Sequence, residues 1–293
     1  MPNLQALPCY LNGQFSTLEK ASISVMDRGF IFGDGIYEVV PIYGGKPFRF
    51  EHHMARLERS LAEIRIPNVL SREAWRALVD ELVERHADSL GKSPSALDQL
   101  IYIQVTRGVA MRDHVMPADI EPTVFAMVNT MKAVSASDRA NGVACVTAED
   151  FRWEKAHIKA TSLLGAVLSR QMSADVGATE TIMFRDGCLS EAAASNVWVV
   201  KDGKVFGPPR DNLVLEGIRY GLVEELCQQE GISFELRKIS RAEVLDADEL
   251  MLSSATKELL AITKLDGQPV GDGKPGPVLA RLYARYQQAK AAS

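Results

Sequence analysis

Five two-residue turn signals punctuate this chain, and they limit its fold more than any other feature. Asn12-Gly13, Gly44-Gly45, Asp186-Gly187, Asp202-Gly203 and Asp266-Gly267 each separate short apolar or β-branched runs. Such pairs accept the positive φ angles of a tight turn, so they join neighbouring antiparallel strands. Hairpins therefore dominate the strand connections. Sheets that are largely antiparallel, with helices packed outside them, are expected: an α+β arrangement.

Between the turns, the spacing of apolar residues assigns the elements. The first fifty residues read as hairpins, pairing 9–11 with 14–15 and 38–43 with 47–50. Met54, Leu57, Leu61 and Ile64 then recur at helical spacing. A second helix starts at a cap, Ser71, and carries Trp75, Leu78, Val79 and Leu82 on one face. Residues 100–106, 123–128 and 143–147 are strand-like, and a helix is predicted over about 161–174. Further on, helices are predicted from Gly217 to Glu230 and from about Pro277, with strands around Phe234 and Leu250. Residues 129–141 are polar and lack a long apolar period. They place an interdomain linker at 131–137, between a small α/β domain at 1–130 and a larger domain at 138–293.

The 293 residues, 46% hydrophobic and 24% charged, can bury a sizeable core. A net charge of −5 with scattered basic residues leaves no footprint for nucleic acid or an anionic membrane. No apolar run approaches the roughly 20 residues of a membrane span. The opening Met-Pro-Asn-Leu-Gln lacks the regions of a signal peptide, so a cytoplasmic protein is expected. Cys9, Cys145, Cys188 and Cys227 stand far apart and read as reduced thiols. His52 and His53, adjacent in a helix, point to different faces, and no metal site is expected.

Several polar groups fall at the ends of predicted elements. Lys159 precedes a helix among Ile158, Ala160, Leu163 and Leu164. It reads either as a desolvated, nucleophilic amine or as a lysine snorkelling at a domain surface. Residues 190–196 set small side chains beside Glu191, which suits a flat ligand or a tight turn. The helix start at Gly217 can receive a phosphate or be an ordinary helix start. Residues 107–114 hold Arg107, Arg112 and His114 in a loop suited to a carboxylate, or simply solvated.

Taken together and in order, the motifs resemble the fold-type IV pyridoxal-phosphate (PLP) enzymes, most closely the D-amino-acid aminotransferases. The carrying segments are 27–30 with 33–40, then 104–108, Arg112-Asp113-His114, His157-Ile158-Lys159 with 163–165, and 190–196. The resemblance implies two domains, the larger with a barrel-like, antiparallel-rich sheet and outer helices. It implies that Lys159 anchors PLP and shuttles the proton, and that Glu191 keeps the pyridine nitrogen protonated. Arg56 would pair with the cofactor phosphate, with Ile218 and Arg219 at the helix start and Thr256 as a hydroxyl contact. Leu215 would pack on the ring. Arg112 and His114, with Tyr37, would trap the substrate carboxylate from a loop that enters the neighbouring subunit of a homodimer. An arginine left unpaired in a buried pocket is costly, which favours a substrate with an α-carboxylate.

Two positions depart from the family pattern: Arg219 stands at a usual threonine, and Ala255 at a frequent hydroxyl position. The substrate pair expected is a D-alanine-like donor and a 2-oxo acid such as 2-oxoglutarate or pyruvate. The alternatives are a branched-chain L-amino-acid or (R)-amine transaminase, or a lyase of the aminodeoxychorismate type. Leu164, where branched-chain enzymes carry a tyrosine, counts against the first of these.

Overall fold

The computed structural model describes residues 6–292, so the opening residues read for a targeting signal lie outside it. The chain divides into two compact units. One runs to Met131 and takes in Ile158–Leu163; the other comprises Lys132–His157 and Leu164–Ala292. The segment bearing Lys159, which the sequence reading assigned to the second domain, thus packs with the first.

The first unit holds β1 (Pro8–Leu11), β2 (Gln14–Thr17), α1 (Arg28–Phe32), β3 (Gly35–Tyr43), β4 (Lys46–Pro47), α2 (Phe50–Glu63), α3 (Arg72–Ser89), β5 (Gln99–Thr106) and β6 (Thr123–Thr130). Its strands form an antiparallel sheet in the order β2-β1-β6-β5-β3-β4. The Asn12-Gly13 turn has φ values of 46° and 92°, as its residue types require. Ser71 caps α3 by accepting from the Ala74 amide at 3.2 Å. Met54, Leu57, Trp75 and Leu82 pack with Ile36, Val40, Ile101 and Ile103 in one core. The second hairpin is shorter than its sequence suggests: β4 stops at Pro47, and Phe50 opens α2 with its ring buried.

One charge cluster pins these elements. Asp34, at the foot of β3, accepts from Arg28 Nε at 2.8 Å and from Arg107 Nε and Nη2 at 2.8 and 3.0 Å. Arg107 also donates to the carbonyls of Ile64 and Arg65, at the end of α2. Burial pushes the Asp34 carboxyl up, but the guanidinium groups of Arg107 and Arg28 outweigh it and hold the group below the usual range.

The second unit holds α4 (Ala136–Asn141), β7 (Val143–Glu149), α5 (Leu164–Asp175), β8 (Glu180–Arg185), β9 (Cys188–Ala192), β10 (Asn196–Lys201), β11 (Lys204–Gly207), α6 (Ile218–Glu230), β12 (Phe234–Leu236), α7 (Arg241–Leu245), β13 (Glu249–Ser254), β14 (Glu258–Leu265), β15 (Gln268–Pro269) and α8 (Pro277–Ala291). Its sheet runs β12-β11-β10-β13-β14-β7-β8-β9, with β15 on β14. Antiparallel pairs predominate, yet β11 with β12, β14 with β7 and β7 with β8 are parallel. A parallel pair needs a crossover, and α5 lies between β7 and β8 in the chain. The polar stretch 129–141 is also ordered: β6 continues to Thr130, and Ser135 caps α4 through the Asp138 amide.

The helix predicted from Thr161 begins only at Leu164. Within the first unit, Thr161 donates its amide to the Gly35 carbonyl and its hydroxyl to that of Gly33; Ser162 Oγ donates to Gly33 as well. These bonds hold the backbone out of a helix. Among the described residues no helix is long and apolar enough to cross a membrane. The four cysteines are unpaired, and all but Cys188 are buried.

The Asp34 cluster should be visible in unfolding. Arg107→Ala is expected to lower the urea-unfolding free energy by about 3 kcal/mol, since it strips one partner from a largely buried pair. A carboxyl whose folded pKa is depressed contributes its full stability above its unfolded pKa of about 3.9. That stability is lost as the pH falls through the folded value. The wild-type urea midpoint should therefore fall more steeply below about pH 4 than that of Arg107→Ala.

Candidate active site

In the first unit, Lys159 sits on a short paired segment. Its carbonyl accepts from the Tyr37 amide at 2.9 Å, and Ala160 bridges Ile36. Ile158 and Ala160, on either side, are buried in the core, while Lys159 is half-buried. Its Nζ lies 4.0 Å from the centroid of the Tyr37 ring, a cation–π contact that fixes the amine over β3. Tyr37 stacks on Tyr102 at 5.7 Å, and the Tyr102 hydroxyl donates to Gln104 Oε1 at 2.7 Å. Burial pushes the Tyr102 phenol up to about 12.

The next residue along β3 is Glu38, on the opposite side of the pleat. It is fully buried and receives Arg56 in a fork, Nε to Oε1 at 2.7 Å and Nη2 to Oε2 at 2.8 Å. His53, one helical turn before Arg56, places Nδ1 2.8 Å from Oε2. Burial raises the Glu38 carboxyl, but Arg56 and His53 together hold it well below the usual range. Glu38 thus orients Arg56, a role the sequence reading missed. Its signal was available: Glu38 is the one charged residue in the run 35–43.

Arg112 and His114 lie on an exposed loop. The Arg112 guanidinium stands 5.5 Å from the Phe32 ring centroid, and the His114 ring lies 5.5 Å from the same ring. Arg28 covers Phe32 at 4.8 Å and donates Nη1 to the Asp113 carbonyl at 2.6 Å. Phe32 and Arg28 therefore carry the loop, and neither was singled out for that role. Contrary to the expectation of a buried arginine in need of a carboxylate, Arg112 is exposed within this chain.

In the second unit, Glu191 is buried on β9. Its Oε1 accepts from Arg152 Nη1 at 2.7 Å; its Oε2 accepts from the Leu215 amide and from Asn196 Nδ2, both at 3.2 Å. Arg152 also forks onto Asp150, with both bonds at 2.9 Å. Burial pushes the Glu191 carboxyl up and prevails, although Arg152 opposes it. Arg152 was not foreseen, since nothing in the local pattern separates it from a surface arginine.

Asn196 Nδ2 also donates to the Leu215 carbonyl at 2.9 Å, fixing the segment that leads into α6. A Cβ on Gly217 would press on Asn196 Oδ1, so a larger residue at this helix start would displace the amide that also bonds Glu191. Gly217, as N-cap, offers no side chain to the first amides of α6. Ile218 and Arg219 open the helix, both buried. Arg219 points to Tyr286, donating Nε and Nη2 to its hydroxyl at 3.2 and 3.0 Å. Thr256 lies half-buried in the turn between β13 and β14, beside Ala255. Each unit thus presents a fixed set: an amine, a guanidinium and a polar loop in the first, a buried carboxylate and an uncapped helix start in the second.

The profile of the family described as Amino-transferase class IV matches residues 35–265, from β3 through β14. The chain is 35% identical to a D-alanine aminotransferase of Bacillus licheniformis, over 94% of each chain. It is 36% identical to one of Listeria innocua, over 93% of this chain and 92% of the relative. Among solved structures, it resembles the branched-chain amino acid aminotransferase of Escherichia coli, with a TM-score of 0.86, 25% identity, and 97% and 94% of the two chains covered. The corresponding T.th. enzyme with pyridoxamine 5'-phosphate gives a TM-score of 0.88 at 20% identity, over 99% and 95% of the chains. With the profile spanning well over half its length and the relatives nearly all of it, this chain belongs to the class IV aminotransferase family.

Proposed function

We propose that this chain is a pyridoxal 5′-phosphate-dependent transaminase that exchanges the amino group between D-amino acids such as D-alanine and 2-oxo acids such as pyruvate or 2-oxoglutarate. The observation that carries the reading is the likeness to D-alanine aminotransferases over more than nine-tenths of both chains. The solved branched-chain enzymes share the fold, and fold alone does not select a substrate. Leu164 stands where the branched-chain pattern has a tyrosine.

The residues present fit the cofactor by their chemistry. In the first unit, Lys159 would hold it covalently, and Arg56, aimed by Glu38, would take its phosphate. In the second, the amides of Ile218 and Arg219 at an uncapped helix start suit an anion such as phosphate, with Thr256 as a hydroxyl donor. Leu215 would pack on the ring. The Glu191 carboxylate, raised by burial, would gain from a cationic partner at the ring nitrogen.

When bound, the cofactor supplies a conjugated ring that takes up the electron pair of the substrate's broken Cα–H bond. Glu191 would hold a proton on the ring nitrogen. The Lys159 amine would act as the general base and acid that takes up the substrate's Cα proton and gives it back. Arg112 and His114, with the Tyr37 hydroxyl, hold the α-carboxylate, which turns a single Cα hydrogen towards the amine.

The exposed loop gains a role if two copies pair and each lends its loop to the other. Exposed apolar side chains around it support this homodimer: Phe30, Val109, Met111, Val115 and Met116. Unpaired cysteines suit a reducing cytoplasm.

The purified protein should be yellow, and borohydride should fix the cofactor to wild type but not to Lys159→Ala, which should also lose activity. A steady-state comparison of D-alanine, L-leucine and (R)-1-phenylethylamine should favour D-alanine; no turnover of any D-amino acid would refute the substrate assignment. Arg112→Ala is expected to lower kcat/KM for D-alanine roughly a hundredfold, mainly through KM, with cofactor content unchanged. Mixing Lys159→Ala with Arg112→Ala subunits tests the lent loop. A mixed dimer regains one intact site, so activity should recover to about a quarter of wild type after random exchange. No recovery despite confirmed exchange would place the loop in its own subunit's site.

A further inference from the structure

Arg219 has the wrong sign for its position in a helix. It is the second residue of α6, where the helix dipole favours a negative charge, and the first turn of α6 contains no acidic residue. It is also only 2% exposed, and burying a guanidinium there requires compensation. Its side chain spans three elements. Nε and Nη2 converge on the hydroxyl of Tyr286, fully buried on α8, and Nη2 reaches the carbonyl of Ala255 at 3.4 Å.

The turn that Ala255 begins is held from its other side as well. Lys257 donates Nζ to the buried Glu180 Oε1 at 2.8 Å, and Arg139 Nη2 donates to the Lys257 carbonyl at 2.9 Å. Glu180 Oε1 also accepts from Ser195 Oγ at 2.9 Å, next to the Asn196 that holds Glu191. Arg219 joins this turn to the start of α6, whereas Lys257 and Arg139 are paired with the carboxylates of Glu180 and Glu258. The Arg219 guanidinium opposes the helix dipole but suits an anion bound there.

We propose that Arg219 is a positioning residue for the cofactor's phosphate. It fastens the Ala255–Thr256 turn to the first turn of α6 and ties both, through Tyr286, to the C-terminal helix. Its charge replaces what a hydroxyl would contribute as a neutral donor. The inference rests on the cofactor reading above, and it makes phosphate affinity depend on α8.

The test separates the phosphate from the rest of the cofactor. Wild-type, Arg219→Met, Arg219→Lys and Tyr286→Phe holoenzymes are stripped and retitrated with pyridoxal 5′-phosphate and with pyridoxal, following the visible absorbance. Arg219→Met should weaken binding of the phosphorylated form about tenfold and that of pyridoxal less than about twofold. Arg219→Lys should recover part of the loss, and Tyr286→Phe should lose roughly threefold for the phosphorylated form alone. Equal losses for both ligands, or none for either, would overturn the proposal. If Arg219→Met does not fold, Tyr286→Phe decides by the same ratio. A wild type that binds neither ligand would instead overturn the cofactor reading, whereas failure of the ratio leaves that reading standing.

Discussion

Asp34 between Arg28 and Arg107 is the interaction on which the first unit's chemistry depends. A carboxylate this deeply placed is tolerable only with cationic partners, and here both partners reach further. Arg107 holds the end of α2, and Arg28 holds the Asp113 carbonyl between Arg112 and His114. The glycines flanking Asp34 serve the other half of the site. Gly33 turns left-handed at φ 66°, and a Cβ there would also meet Ser162 Oγ at 2.7 Å. With that space open, Thr161 and Ser162 bond the Gly33 and Gly35 carbonyls and hold Lys159 alongside Tyr37. One acidic residue between two glycines therefore registers both the amine and the polar loop.

Buried carboxylates recur in the two units, and their electrostatics assign them different tasks. Glu38 faces Arg56 and His53, and its carboxyl is held low; its charge is already satisfied, and it serves to aim Arg56. Glu191 faces Arg152, which shares its guanidinium with Asp150, and burial prevails in raising it. Its other oxygen accepts only from neutral donors at 3.2 Å. A raised carboxyl with one shared cation gains from a further positive partner, whereas Glu38 has little left to gain. The distinction follows from the neighbours, since the two residue types are identical.

What was legible in the sequence is what is local. Turn pairs with positive φ, the Ser71 cap and the helical faces of α2 and α3 depend on neighbours a few residues away, and they appear where expected. The parallel pairs of the second sheet were not legible, because they arise from crossovers rather than turns. The polar stretch at 129–141 holds the boundary between the two units, at Met131 and Lys132, and from Ala136 its polarity is that of an exposed helix. The start of α5 was misplaced for a related reason, since the bonds that delay it come from Gly33 and Gly35, more than a hundred residues away. In the site, Lys159 and Glu191 stood out through the company of their motifs. Arg152 and Phe32 act through partners remote in sequence, so their residue types alone did not mark them; Glu38 did carry a local signal, as the one charged residue in 35–43.

The buried and the exposed halves of this arrangement carry different kinds of information. The fixed groups, Lys159 on its short paired segment, Arg56 on Glu38 and Glu191 on Arg152, sit in packed surroundings where a change of residue disturbs the core. The loop with Arg112 and His114 is exposed and rests on one aromatic ring and one backbone bond. Substitution there costs the fold little. A loop of this kind can change while the packed groups stay in place. The chain's fold matches that of branched-chain enzymes while its sequence, along its length, is similar to D-alanine aminotransferases, so the fold by itself does not separate the two.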